Sequence, residues 1–126
     1  MNRVREAMLR YVILWHDGID QPHFDLMFET AIGSPLATWR SDCWPITTPT
    51  QLTRLADHRR DYLDYEGPVR GNRGCVRRVE GGSCEVDVDE NSGWEIVLPG
   101  NSRSDKTPRR LRIERTDAEH WSVTPK

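Results

Sequence analysis

The chain has 126 residues, a length at which one domain closes a single hydrophobic core. A formal net charge of −2 excludes binding to nucleic acid by overall electrostatic attraction, and 36% hydrophobic with 30% charged residues indicates a globular rather than a disordered chain. No run approaches the roughly 20 apolar residues that a membrane span needs. We expect a cytoplasmic, monomeric protein with one domain over residues 10–126 and a disordered leader over residues 1–9.

Short apolar and β-branched runs separated by turn residues dominate the chain and favour a mainly β fold. Thr48-Pro49 resembles a helix start, and Leu52, Leu55 and Ala56 follow at helical spacing. We predict a small antiparallel β-barrel or curled sheet with one short helix. Strands are expected at 11–16, 23–29, 36–40, 75–79, 84–88, 94–98, 111–114 and 121–124, with a hairpin turn at Gly81-Gly82 and an exposed loop over 99–108.

The segment from His23 to Glu29 alternates between two kinds of side chain. Phe24, Leu26 and Phe28 fall on one face, while His23 and Asp25 share the other. The sequence therefore predicts one core face and one face that carries chemistry.

A histidine and an aspartate two residues apart on a strand project an imidazole and a carboxylate into the same space. His16, at the end of the preceding strand, can reach the same ion and complete a set of two nitrogens and one oxygen, which fits Mn, Fe or Zn better than Mg or Ca. Such a short pattern also arises by chance on half-exposed strands. A second cluster, at Asp57 to Tyr62, adds His58 as a donor to phosphate and Tyr62 as a hydroxyl.

Three blocks of this sequence resemble the 3′-phosphoesterase domain of bacterial ATP-dependent DNA ligase D, in order from about Arg10 to Val79. The first block, H-x6-H-F-D-L-M-F-E from His16 to Glu29, is similar to a family pattern of two histidines before [YW]-D-x-R-x-E. The second, Leu36 to Trp39, is similar to the family strand that ends in Ser/Thr-Trp. The third, Asp57 to Gly67, resembles D-H-x-x-x-Y-x-x-F/Y-E-G, and Gly71, Gly74 and Val76 follow where the family has a glycine-rich strand.

The resemblance implies a small β-barrel enzyme that removes a 3′-terminal ribonucleoside and then the 3′-phosphate from DNA ends. It implies that His16, His23 and Asp25 bind the catalytic metal, usually manganese, and that His58 and Tyr62 contact the phosphate. The partners it implies are DNA or RNA–DNA 3′ ends and a separate ligase and polymerase in end joining.

Two features depart from the family pattern. Met27 occupies the position of a phosphate-binding arginine, and the first two histidines are one residue further apart. A methionine cannot neutralise a phosphate. Arg40, beside Trp39 on the next strand, is our candidate replacement, with a solvated strand-end charge as the alternative, and Arg59 or Arg60 could also serve.

Several other residues have ordinary structural interpretations. We expect Glu29 to be a structural carboxylate and His120 a surface residue. The five tryptophans could stack on bases, although packing in the core or at its rim accounts for most of them; they are Trp15, Trp39, Trp44, Trp94 and Trp121.

Two further functions compete with the phosphoesterase. One is a catalytically weakened module that binds nucleic-acid ends, which Met27 suggests. The other is an iron oxygenase that uses His23, Asp25 and a distant His58 or His120 as its ligands.

Overall fold

The computed structural model describes residues 8–89, 93–100 and 103–126, and within these ranges the chain forms nine β-strands and one 3₁₀ helix. No helix of these ranges is long and apolar enough to cross a membrane. The strands are β1 (Leu9–Asp17), β2 (His23–Glu29), β3 (Leu36–Ser41), β4 (Thr50–His58), β5 (Gly67–Pro68), β6 (Cys75–Val88), β7 (Gly93–Leu98), β8 (Arg109–Arg115) and β9 (Trp121–Pro125), and the 3₁₀ helix is Arg60–Leu63.

Eight of these strands close into an antiparallel barrel. The hydrogen-bonded order is β1-β2-β3-β4-β9-β8-β7-β6, and β6 pairs back with β1 to complete the circle, while β5 adds two residues beside β6. Closure leaves the barrel without a free edge strand of its own. The predicted mainly β fold with a small antiparallel barrel is confirmed.

The main core fills the barrel, with side chains from every strand of the closed circle. Tyr11 and Ile13 of β1 and Leu26 and Phe28 of β2 point inward, as the alternation predicts, and pack with Trp39. The other side chains of these strands therefore lie on the outer face of the barrel wall.

A smaller apolar cluster, which we call the outer cluster, covers this outer face. It consists of Val12, Leu14, Met27, Leu36, Leu63 and Val76, with Tyr62 and Val69 packed against it. Leu63, from the 3₁₀ helix, is only 1% exposed. The segment after β4 is thus held across the outer face of β1, β2 and β3.

The helix predicted after Thr48 is wrong, because residues Thr50–His58 form strand β4. Leu52 enters the barrel core and pairs with Trp121 of β9, while Arg54 pairs with Trp39 of β3. Pairing on both sides outweighs a weak helical pattern, since propensity is readily overridden by tertiary contacts. The short helix comes later, at Arg60–Leu63.

The hairpin predicted at Gly81-Gly82 is also wrong, because β6 runs without interruption from Cys75 to Val88. Gly81 and Gly82 pair with Val12 and Tyr11, and Gly82 has φ of +149°. Glycine here lets one long strand bend from its pairing with β1 to its pairing with β7.

The other predicted boundaries agree with the described strands to within a few residues. Leu9, the last residue of the predicted leader, belongs to β1, and residues 1–7 of that leader lie outside the described residues. The described residues of the predicted loop over 99–108 contain no strand, and residues 101–102 lie outside the description.

Candidate metal centre

His16, His23 and Asp25 converge on the outer face of the barrel, at the end of the β1–β2 pair. His16 pairs directly with His23 across the two strands, and their ring centroids lie 5.1 Å apart. Asp25 follows on the same face of β2. One potential ligand atom from each side chain lies within 4.8 Å of the other two, so the structure brings together the three residues that the sequence nominated as metal ligands.

Each histidine has one ring nitrogen fixed by a backbone carbonyl. Nε2 of His16 donates to the carbonyl oxygen of Arg73 at 2.8 Å, and Nδ1 of His23 donates to that of Gln21 at 2.8 Å. A carbonyl can only accept, so the remaining nitrogens, Nδ1 of His16 and Nε2 of His23, carry lone pairs in the neutral rings. Orientation of this kind is typical of histidines that bind metals.

The two lone pairs are directed at the carboxylate of Asp25. Nδ1 of His16 lies 3.6 Å from Oδ2, and Nε2 of His23 lies 3.1 Å from Oδ1. The Asp25 side chain is 5% exposed, and among the described residues its Oδ1 has no hydrogen-bond partner. A buried carboxylate beside two ring nitrogens is stabilised when a proton or a metal cation lies between them.

The chemistry of these donors therefore fits a divalent metal. Two imidazole nitrogens and one carboxylate oxygen favour Mn, Fe or Zn, and three protein ligands leave positions open for water and substrate. The His16 side chain is 17% exposed, which leaves the cluster accessible from solvent on that side.

Arg40 lies next to Asp25. The two residues pair directly across β2 and β3, so their side chains share the outer face. Among the described residues, Nε of Arg40 is buried and has no hydrogen-bond partner. The arginine is thus close to the cluster and pairs with no carboxylate among the described residues. An arginine that binds a phosphate must be free in this way.

Met27 is part of the outer cluster and is 1% exposed. It shares its face with Asp25 but lies beneath Leu63 rather than at an open surface. An apolar residue at position 27 is therefore explained by its packing in the outer cluster.

His58 and Tyr62 form a pair of their own on the same outer face. Their rings make an edge-to-face contact with centroids 5.6 Å apart, and Nδ1 of His58 donates to the carbonyl oxygen of Ala56 at 2.9 Å. Nε2 of His58 is thus the nitrogen that remains for a ligand. Between this pair and the metal cluster the described residues make no hydrogen bond or ion pair, and the outer cluster lies beside Tyr62.

Glu29 has a structural role, as expected. Its carboxylate accepts hydrogen bonds from the guanidinium of Arg60 and from the backbone N–H groups of Arg10, at 2.6 Å, and Gly33, at 3.2 Å. Burial raises the pKa of Glu29, but these hydrogen bonds outweigh it, and the pKa lies below its usual value. Arg60 is therefore occupied, whereas Arg59 is exposed.

His120 is an exposed residue in the turn between β8 and β9. Nδ1 of its ring lies 2.7 Å from Oδ1 of Asp117, and this contact raises the pKa of His120. Neither His58 nor His120 belongs to the described cluster of metal-ligating side chains, in which His16 is the second histidine. The ligand set that we considered for an iron oxygenase is not assembled.

The carbonyl groups that orient the two histidines are functional features that the sequence did not reveal. Gly74, with φ of +76°, packs so closely on the carbonyl of Asp17 that a Cβ atom would collide with it. This approach holds the segment around Arg73 against the end of β1. Every residue has a backbone carbonyl, so the sequence does not show which carbonyl orients a histidine. Gly74 is the only sequence feature that points to this close approach.

Comparison with known proteins adds no relative to this description. The resemblance of the three sequence blocks to the ligase D 3′-phosphoesterase domain therefore stays a prediction from the motifs. No protein-family model matches the chain, and neither does any curated protein.

Proposed function

We propose that this protein is a divalent-metal-dependent phosphoesterase that processes 3′ ends of DNA, removing a 3′-phosphate or a 3′-ribonucleoside. The carrying observation is the arrangement of His16, His23 and Asp25: two histidines held by carbonyls present lone pairs to a buried carboxylate. The sequence resemblance supplies the substrate class, and the ligand set supports manganese, with zinc as the other candidate metal.

In this proposal His16, His23 and Asp25 would hold the metal, which would supply positive charge to polarise the phosphate and activate water. Arg40 neutralises a phosphate oxygen beside Asp25. The reaction is hydrolysis, in which water adds a hydroxyl to phosphorus. The bond from phosphorus to the 3′ oxygen breaks when a 3′-phosphate is removed, and the bond from phosphorus to the 5′ oxygen of the terminal nucleoside breaks when a 3′-ribonucleoside is removed; the released oxygen takes up a proton. His58, through Nε2, donates that proton or a hydrogen bond, and the Tyr62 hydroxyl holds the phosphate.

The distribution of charge around the outer face supports a nucleic-acid substrate. The covering segment, residues 59–78, carries six arginines and three acidic residues, whereas residues 80–95 carry six acidic residues and no basic one. A near-neutral chain thus concentrates arginines in the segment whose Arg73 contacts His16 through its backbone carbonyl, which favours a substrate with a phosphate backbone. The product, a 3′-hydroxyl end, is what a separate polymerase or ligase can extend or join.

A second candidate is a binding module of the same fold. Met27 is buried where an arginine is expected, so this chain has one phosphate contact fewer than the family pattern. Such a module would hold 3′ ends without turnover.

The experiment is manganese-dependent turnover of a labelled primer–template that ends in a 3′-phosphate or in one 3′-ribonucleotide. We expect phosphate or nucleoside release by the wild type, and a loss of about 100-fold or more in both His23→Ala and His58→Ala. Asp87→Ala, which removes an exposed carboxylate of β6, serves as the matched control and should retain wild-type turnover.

Each other outcome identifies a different function. A folded protein that binds the primer but does not hydrolyse it in the presence of any divalent metal would indicate the binding module. Oxidation of an organic co-substrate with ferrous iron, without phosphate release, would indicate an oxygenase that uses the same three ligands.

A further inference from the structure

A pocket opens on the barrel wall next to Arg40, where β4 and β9 separate. The two strands pair only through Thr50–Leu52 and Trp121–Val123, although β4 continues to His58. The pocket beside Trp121 is lined by residues of β3, β4 and β9 and of the segments that flank them: Arg40, Asp42, Gln51, Leu52, Thr53, Glu119, His120 and Trp121.

The pocket combines one aromatic ring with several polar groups. Trp121 is half-buried, and its ring packs edge-to-face on Trp39 of the core, with centroids 5.6 Å apart. The indole is thus supported from the barrel side while it also lines the pocket. Gln51, His120 and the carboxylates of Asp42 and Glu119 add polar groups that can hydrogen-bond to the edge of a planar heterocycle.

Strand register connects this pocket to the metal cluster. Arg40 pairs with Asp25 on one side and with Thr53 on the other, so all three side chains share the outer face. Asp25 and Thr53 are therefore two strand spacings apart, about 10 Å. Trp121 pairs with Leu52 from the next strand, so its ring lies about one further strand spacing from Asp25. This separation of about 15 Å suits one nucleotide whose phosphate is held by a metal at the cluster and whose base stacks on the ring.

We propose that the pocket binds the terminal nucleoside of the strand whose 3′-phosphate lies at the metal cluster, with the base stacked on Trp121 and Arg40 placed between base and phosphate. This inference rests on the proposed phosphoesterase function and adds a requirement to it. The enzyme recognises the base of the 3′-terminal nucleotide by stacking, and therefore without marked sequence preference.

The first test compares two primers that differ only in the terminal nucleotide. Both carry a 3′-phosphate, but in one the terminal sugar is a stable tetrahydrofuran analogue without a base. We expect kcat/KM for phosphate release to fall by about tenfold on the primer without the base, because stacking of a base on an aromatic side chain is lost.

The second test uses Trp121→Leu, with Trp121→Phe as the conservative variant. We expect the preference for the base to disappear in Trp121→Leu and to persist in part in Trp121→Phe. Because Trp121 also packs on the core, a manganese titration of each variant must first establish that the metal cluster is intact. If Trp121→Leu does not fold, the comparison of primers on the wild type still decides the inference.

A third substrate separates this inference from the function on which it rests. Bis(4-nitrophenyl) phosphate has a scissile phosphodiester but no nucleoside, so its manganese-dependent hydrolysis by the wild type reports the phosphoesterase alone. Hydrolysis of this ester together with equal turnover of the two primers would overturn the base-binding pocket and leave the phosphoesterase standing. Absence of hydrolysis of all three substrates would overturn both.

Discussion

Nε2 of His23 lies 3.1 Å from Oδ1 of Asp25 without a hydrogen bond between them, while Nδ1 of the same ring donates to the carbonyl oxygen of Gln21. His16 repeats the arrangement on the other side of the carboxylate. Two ring nitrogens and the two oxygens of a buried carboxylate thus converge on one space. This arrangement suits a bound cation, so metal binding and stability should be linked.

The first prediction is that Asp25→Asn affects stability in opposite directions with and without metal. In EDTA the variant should unfold at the same temperature as the wild type or higher, because the amide is uncharged and can donate a hydrogen bond to His23. With manganese at about 100 times its Kd, the wild type should gain about 2.7 kcal/mol and the variant much less. Thermal unfolding with and without manganese measures both effects, and an equal response of the two proteins would rule out Asp25 as a ligand.

The second prediction concerns pH and Glu29. Its pKa is lowered in the folded protein, so the stability it contributes is present above its usual pKa of 4.5 and is lost as the pH falls through the lower folded value. Glu29→Gln should weaken stability at pH 7 by about 2 kcal/mol, because Arg60 and two backbone N–H groups lose a charged acceptor. The variant should also lose stability less steeply than the wild type below about pH 5.

Urea unfolding from pH 7 to pH 3 measures the contribution of Glu29. Asp64→Asn is the matched control, because Asp64 pairs with Arg10 at 2.8 Å on an exposed surface and should change stability little. Parallel pH profiles for wild type and Glu29→Gln would show that Glu29 titrates alike in the folded and unfolded chains.

The sequence predicted those parts of the site that depend on alternation along one strand. His23 and Asp25 share a face because they are two residues apart, and His16 joins them because a short turn brings β1 back beside β2. The same reasoning could not find the pairing of Glu29 with Arg60, since a contact between residues so distant in the chain depends on how the barrel closes. For the same reason the pocket beside Trp121 could not be predicted from the sequence.

The mistaken helix shows how a local pattern misleads. Leu52 and Leu55 are three residues apart, as on one face of a helix, but in β4 they point to opposite sides of the barrel wall. Leu52 fills the core, whereas Leu55 pairs with Thr38 on the outer side. The pairing with neighbouring strands decides between a helix and a strand for this segment, and that pairing cannot be predicted from the local sequence.

The third prediction concerns a polar network centred on Glu80, which pairs with the inward-facing Ile13. The carboxylate accepts hydrogen bonds from the Tyr11 hydroxyl at 2.5 Å, from Nε1 of Trp44 at 3.1 Å and from Nη2 of Arg109 at 2.6 Å. Burial raises the pKa of Glu80, but Arg109 and the two other donors outweigh it and keep the carboxylate ionised at neutral pH.

Glu80→Ala should therefore cost about 3 kcal/mol in the free energy of unfolding, because it leaves three donors without an acceptor. Tyr11→Phe removes one donor and leaves the others paired, so it should cost about 1 kcal/mol. Chemical denaturation of both variants tests the difference. A smaller loss in Glu80→Ala than in Tyr11→Phe would mean that water replaces the carboxylate.

The last prediction concerns Met27→Arg, the change that restores the residue of the family pattern. Met27 is 1% exposed and belongs to the same outer cluster as Leu63 and Leu36, so an arginine would place an unpaired charge in this cluster or displace the 3₁₀ helix that contributes Leu63 to it. We expect a loss of several kcal/mol in stability and no gain in phosphoesterase turnover. Met27→Leu, which keeps the cluster apolar, should cost about 1 kcal/mol or less.

Arg40→Gln provides the complementary comparison. If Arg40 has taken over the contact with phosphate, its loss should reduce turnover by about 100-fold while stability changes little, because its Nε makes no hydrogen bond among the described residues. Unfolding in urea and steady-state kinetics on the 3′-phosphate primer give both quantities for each variant. A Met27→Arg protein of unchanged stability and raised activity would place position 27, rather than Arg40, at the phosphate.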